Sequence, residues 1–243
     1  MSHPRTAMLL AAGPPMPGAS QPTPLLRLAG RALVDHALDR LADSGVETVV
    51  VNARAGADPL AAHLAARRLG PRTVLRAETE PLDTGGAVHA SLDLLGAGPF
   101  YVVNADTFWL DGPSPALARL AAAWNPAEPA PVLLVHRCFQ VQSETGDGDF
   151  AMDPWGRLRR RREREIVPYL YAGLQLLDAA IVEAAAAHAS NPRFGMNALW
   201  RNAMDEGRLR GVVHDGLWFH MDQPADLAEA EHNLHARALG EAR

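Results

Sequence analysis

An α/β fold on a mostly parallel sheet is what this sequence predicts, and three observations predict it. Apolar runs rich in Val, Leu and Ala recur at 6–12, 47–52, 73–77, 100–104 and 132–136, each bounded by Gly, Pro, Asn or charge. Segments with helical spacing separate the first four runs. The chain has 243 residues, 48% of them hydrophobic, enough to bury the core of one large α/β domain. Strand and helix in alternation imply βαβ units, whose ligand crevice lies beyond the carboxyl ends of the strands.

The apolar runs are continuous, as strands covered on both faces are. Leu33, Ala37, Leu38 and Leu41 mark one face of a helix that Gly45 ends, and 59–69 and 87–95 repeat the pattern. Beyond residue 140 the elements shorten. DGDF at 147–150 and the turn DPWG at 153–156 precede a strand over 169–176. Helices over 178–188 and 196–206, strands over 209–214 and 217–221, and a last helix from Pro224 complete the chain. This second half reads as a small cap on the crevice of the first. No linker, low-complexity tract or repeat divides the two, so 1–243 reads as a single domain.

Composition narrows the function. A formal charge of −5 argues against a nucleic-acid partner, which calls for a basic surplus. No window approaches the ~18 apolar residues of a membrane span, and the apolar run near the start is too short for a signal peptide, so a cytoplasmic protein with no membrane partner is expected. Cys138, the only cysteine, has no partner for an internal disulfide and reads as a small residue in or near a strand. All 23 basic residues are arginine. Chemistry that needs a lysine ammonium is excluded.

Three motifs sit where strands end. LAAG at 10–13 closes the first strand with small residues, letting backbone approach a ligand, though small residues there also serve packing. LDTGG at 82–86 precedes a helix; Gly85 and Gly86 offer backbone N–H groups to an acceptor while Asp83 or Thr84 caps the helix, and a simple cap-and-turn gives the same pattern. VVNAD at 102–106 ends a buried strand in Asn104 and Asp106, and a carboxylate there can hold Mg²⁺ against a phosphate or merely turn the chain. All three face one crevice, which is the stronger signal.

The chain resembles the sugar-phosphate nucleotidyltransferase family, and within it the bacterial N-acetylmuramate-1-phosphate uridylyltransferases and the mannose-1-phosphate guanylyltransferase-like proteins. The resemblance rests on AMLLAAG at 7–13, RALVDHALDRLADSGVETVVVN at 31–52, ETEPLDTGG at 78–86, FYVVNAD at 100–106, GDF at 148–150, YAG at 171–173 and GLWFHMDQPADLAEAE at 216–231. It implies a Rossmann-like three-layer nucleotidyltransferase fold with a mixed, mostly parallel sheet and a small cap subdomain. Residues 1–140 would form the nucleotide-binding half and 141–243 the sugar-binding half. Ala11, Ala12 and Gly13 would line the nucleotide, Gly85 and Gly86 would meet the base, and Asn104, Asp149 and Gly173 would lie around the sugar. Asp106 would be the catalytic carboxylate and bind Mg²⁺.

The chain departs from the family at the phosphates. The family has a glycine-rich loop with an arginine after LAAG, then PKPL, whose lysine faces the phosphates. Here the loop reads PPMPGASQ and then PTPL, with Thr23 at the lysine position and no arginine between Gly13 and Leu26. Pro14, Pro15 and Pro17 also remove backbone donors. Arg27, just past the motif, is one candidate to swing in. Where the family has a second metal-binding aspartate this chain has His220, and Asp222, two residues on, would supply the oxygen if the strand continues. The run RLRRRRERE at 157–165 reads as a solvated hairpin, and the five tryptophans as core or rim packing.

Three functions fit. The first is transfer of a nucleotidyl group, UMP favoured, from an NTP to a sugar 1-phosphate with release of pyrophosphate. The second is a relative that binds nucleotide or sugar without turnover. A glycosyltransferase is the third, because NAD at 104–106 resembles a metal-binding DxD, but the first acidic residue is missing.

Overall fold

The structure, a computed structural model, describes residues 3–54, 58–141 and 146–241. In chain order the elements are β1 (Thr6–Leu10), the ribbon β2 (Arg27–Leu28) and β3 (Arg31–Ala32), α1 (Leu33–Asp43), β4 (Thr48–Arg54), α2 (Asp58–Ala66), β5 (Arg72–Glu78), α3 (Asp83–His89), α4 (Leu92–Leu95), β6 (Phe100–Asn104), β7 (Thr107–Leu110), α5 (Ala116–Ala123) and β8 (Val132–Arg137). Then come β9 (Phe150–Met152), β10 (Leu158–Arg160), β11 (Tyr169–Leu177), α6 (Ala179–Ala187), α7 (Met196–Asp205), β12 (Arg210–Val213), β13 (Leu217–His220) and α8 (Pro224–Glu241). Cys138 follows β8 in a single helical turn.

β5, β4, β1 and β6 run parallel, and β11 joins antiparallel to β6. β8 pairs with β11 and with β12, so strands from beyond residue 140 extend the same sheet. The sheet is therefore mixed and mostly parallel, as predicted. Side chains alternate across it. Ala7 and Leu9, Val49 and Val51, and Tyr101 and Val103 pack with α1, α2 and α5. Met8, Val50, Phe100 and Val102 pack with α3, α6 and α7. That two-sided burial is why the strands read as continuous apolar runs, and it yields three layers. A smaller cluster around Leu28, Phe108, Phe219 and Met221 holds β7, β13 and α8 together.

Local signals fix the element ends. Gly45, at φ +83°, closes α1, and the Asp178 carboxylate accepts the Ile181 N–H at 3.0 Å to start α6. The helix expected over 87–95 begins earlier and breaks. α3 already starts at Asp83, and the Ser91 hydroxyl donates to the Ala87 carbonyl at 2.9 Å between α3 and α4.

A buried pair of imidazoles, His136 on β8 and His214 after β12, lies with ring centroids 5.7 Å apart. Burial, aided by His214 and Arg137, pushes the His136 imidazole down to about 4. The unfolded chain, titrating near ~6.5, takes up a proton that the folded chain refuses. Stability from this group is full above that value and is lost as pH falls toward 4. Replacing His136 by Phe is expected to remove about 2 kcal/mol of that acid-side loss. Urea midpoints measured between about pH 7 and 4.5 check this, and an unaltered slope would refute it.

Candidate active site

The parallel strands end close together. Leu10 of β1 stands beside Asn52 of β4 and Asn104 of β6, so β1 and β6 leave the sheet at one level while β4 and β5 run on two residues to Arg54 and Glu78. A cavity of about 560 Å³ opens there, lined by Ala12, Gly13, Asn52, Asn104 and Asp106 together with the turn into α3. A second lobe of about 350 Å³ shares Asp83, Thr84 and Asn104 with the first and adds Asp149, Arg160, Asn197 and Trp200. This is the crevice expected beyond the carboxyl ends of a parallel sheet.

The LAAG turn is held from β4. The Ala11 N–H donates to Asn52 Oδ1 at 2.8 Å, and Asn52 Nδ2 donates to Glu78 Oε1 at 2.6 Å. Ala11 is buried behind the wall, whereas Ala12 and Gly13 line the cavity. Arg54 Nε donates to the Ala12 carbonyl at 2.7 Å. The short loop that follows folds on itself through Thr23, whose hydroxyl accepts the Met16 N–H at 2.9 Å and donates to the Pro14 carbonyl at 3.4 Å. Thr23 is 6% exposed, so this position does not point into the crevice. Arg27 is also turned elsewhere, donating to the Gly30 carbonyl at 2.7 Å. A lysine at position 23 would bury an ammonium and break the clasp. Thr23→Lys is therefore expected to lower stability by about 2–3 kcal/mol without adding turnover. A chemical-denaturation curve beside a pyrophosphate assay tests this; a gain in rate would show that the side chain reaches the phosphates.

The LDTGG segment is built differently from the sequence reading. Asp83 adopts φ +59° and its Oδ1 accepts the Thr84 N–H at 2.6 Å. Thr84 caps a neighbour instead of its own helix, for its hydroxyl accepts the Met196 N–H at the start of α7 at 2.9 Å. Gly85 and Gly86 are buried and absent from both lobes. The Gly86 N–H is used by the Phe194 carbonyl at 2.9 Å. A Cβ on Gly85 would come within 2.6 Å of Phe194, and one on Gly86 would overlap the Pro192 carbonyl. These glycines let segment 192–195 pack on α3, and their side of the helix does not face the cavity.

Asp106, between β6 and β7, has a sealed Oδ1 with no hydrogen-bond partner. His220 Nδ1 lies 3.7 Å from that oxygen. Burial raises the Asp106 carboxyl above the ordinary carboxylate range; Asp222 pushes the same way while His220 opposes. β13 ends at His220, and the Met221 N–H donates to the Asp106 carbonyl at 2.7 Å. That bond keeps the register of the ladder, which stops at Asp222: this residue is exposed and its N–H donates to Asp226 Oδ2 at 3.0 Å instead. Asp222 lines neither lobe. Among the described residues no group of three His, Cys, Asp or Glu side chains could hold a metal alone. Asp106 with its unpartnered oxygen fits the protein's share of a Mg²⁺ site, since that ion keeps waters and takes one or two carboxylates plus substrate phosphates.

In the second lobe Asp149 Oδ2 accepts the Tyr171 N–H at 2.9 Å. Arg160 Nη1 lies 3.4 Å from Asp149 Oδ1, and the guanidinium covers the rings of Phe150 and Trp200. Gly173 is not a lining residue; its φ of +78° sits at an irregularity in β11 where it packs against Thr107. The arginine run forms β10 and the turn after it, with Arg159 paired to Glu165 and Arg161 to Asp147, while Arg160 alone turns into the lobe. Trp109, Trp124, Trp200 and Trp218 are buried and Trp155 is 72% exposed. Arg54, Arg193 and Arg160 are crevice residues that the motifs did not indicate. Arg54 and Glu78 end neighbouring parallel strands, and strand ends were the available signal.

Known proteins resemble this chain along its length. N-acetylmuramate alpha-1-phosphate uridylyltransferase of Caulobacter vibrioides is 35% identical over 240 residues, covering 95% of this chain and 97% of that protein. The protein of the same name from Neisseria meningitidis serogroup B is 27% identical over 93% of this chain and 96% of its own. Among solved structures, UDP-glucose pyrophosphorylase complexed with UDP-glucose superposes with a TM-score of 0.78 at 14% identity, covering 96% of this chain and 99% of that one, a likeness of fold. No helix among the described residues is long and apolar enough to cross a membrane. Residues 7–146 match the MobA-like NTP transferase domain, and with that match over more than half its length the chain belongs to the MobA-like NTP transferase family.

Proposed function

We propose that this protein transfers UMP from UTP to a sugar 1-phosphate and releases pyrophosphate, in the cytoplasm, with N-acetylmuramate 1-phosphate as the acceptor. Asp106 carries the reading: a carboxylate with a buried oxygen that has no hydrogen-bond partner and faces His220 Nδ1 at 3.7 Å, lining the crevice with the Gly13 turn. End-to-end similarity to two uridylyltransferases supports the base and the sugar. One domain serves both substrates, residues 1–140 supplying most of the nucleotide side and 141–243 most of the sugar side.

In-line attack of the sugar phosphate on the α-phosphorus needs no covalent intermediate, so the protein's task is to position and neutralise. Ala12 and Gly13 let the nucleotide approach the backbone, and Asn104 and Asp149 offer polar groups to the sugar. Mg²⁺, when bound at Asp106, supplies positive charge to the phosphate oxygens. Incubation with each NTP, MgCl₂ and a panel of sugar 1-phosphates tests the reading, with pyrophosphate release expected from UTP and N-acetylmuramate 1-phosphate. Absence of release from every pair removes it.

One observation favours a second reading, binding without turnover. Among the described residues, Glu78, Glu80, Asp83 and Asp106 line the main cavity against only Arg54 and Arg193. If UTP raises the melting temperature while no pyrophosphate appears, that reading replaces the first.

A further inference from the structure

A triphosphate brings several negative oxygens, and transfer chemistry depends on fixed positive charge against them. This chain has no lysine, and its loop from Pro14 to Leu25 has no arginine. Thr23 is spent on holding that loop. Among the described residues, the cations lining the main cavity are Arg54, at the end of β4, and Arg193, in the segment before α7.

Arg54 is the better fixed of the two. Its Nε–H is tied to the Ala12 carbonyl at 2.7 Å, which sets the guanidinium against the LAAG turn. Among the described residues its Nη1 and Nη2 make no hydrogen bond or ion pair, although Arg54 stands in register with Glu78 on β5. Glu78 Oε1 instead accepts from Asn52. A planar fork held at one nitrogen and open at the other two is preorganised for phosphate, and less side-chain entropy is lost on binding than for a free arginine.

We propose that Arg54, seconded by Arg193, grips the triphosphate in place of the lysine and arginine missing from the loop, so that the positive charge has moved from the loop after β1 to the end of β4. This rests on the nucleotidyl-transfer reading. A purely structural Arg54 would only brace the Ala12 carbonyl, and the two roles separate by ligand.

Calorimetric titration of UTP and of uridine, each with MgCl₂, into wild type, Arg54→Gln, Arg54→Lys and Arg193→Gln distinguishes them. Expected is a fall of about 10- to 100-fold in UTP affinity for Arg54→Gln. Uridine affinity and the ligand-free melting temperature should hold, Arg54→Lys should recover part of the loss, and Arg193→Gln should show a smaller fall. Equal UTP affinity in wild type and Arg54→Gln overturns the proposal and leaves the transferase reading standing. Equal loss of UTP and uridine binding with a lower melting temperature overturns it in favour of bracing. Failure of wild type to bind UTP overturns both.

Discussion

Asp106→Asn is expected to lower pyrophosphate release by at least about 10³-fold while leaving the protein as stable as wild type or more so. The two effects share one cause. The Asp106 carboxylate is held at a strand end with one oxygen sealed from water and without a hydrogen bond, and burial, against the opposing pull of His220, raises its pKa and opposes folding in the ionised form. Asparagine keeps the shape and removes the charge, so the folded state is relieved. The gain is on the order of 1 kcal/mol or less, because the side chain keeps 40% of its surface in water and solvent screens the penalty. Activity moves the other way, since an amide cannot hold a divalent cation against phosphates as a carboxylate does. Steady-state pyrophosphate assays with urea denaturation of the same samples measure both. A variant that loses activity and also unfolds easily would show that Asp106 is a structural residue.

The sheet was legible from sequence because burial on both faces leaves a plain mark. Val49, Val50 and Val51 contact opposite helical layers in turn, so no polar residue interrupts the run. All five long strands of the first half fall within two residues of their predicted ends. Gly13 and Asp106, just past such runs, and Asn104, at the end of one, line the crevice for the same reason. What stayed hidden depends on contacts between distant segments. Thr84 was one of two residues, with Asp83, read as the cap of α3, yet its hydroxyl serves residue 196, and no local pattern announces a partner 112 positions away. Asp222 was placed by continuing a strand whose next N–H instead bonds Asp226 at the start of α8. Arg160 looked like one more charge in a solvated run, and only the packing of Phe150 and Trp200 beneath it brings it into the second lobe.

Gly173→Ala is expected to destabilise the protein by about 3 kcal/mol or more, which sets a packing role apart from a sugar-contacting one. Two penalties coincide at this residue. Its φ of +78° lies in the left-handed region, which costs an L side chain about 1–2 kcal/mol. The added methyl would also overlap Thr107 Oγ1 and crowd Asn104 Cβ at 3.3 Å, and Thr107 is 3% exposed with little room to yield. Because Thr107 directly follows Asp106, any retreat of that side chain pulls on the carboxylate, so turnover should fall together with the unfolding midpoint. A glycine kept for contact with sugar would give a different signature, a raised KM for the sugar phosphate at an unchanged midpoint. Denaturant unfolding of Gly173→Ala beside its KM and kcat therefore decides the matter: β11 bends at this residue to let β7 approach, and the bend, rather than the ligand, demands glycine.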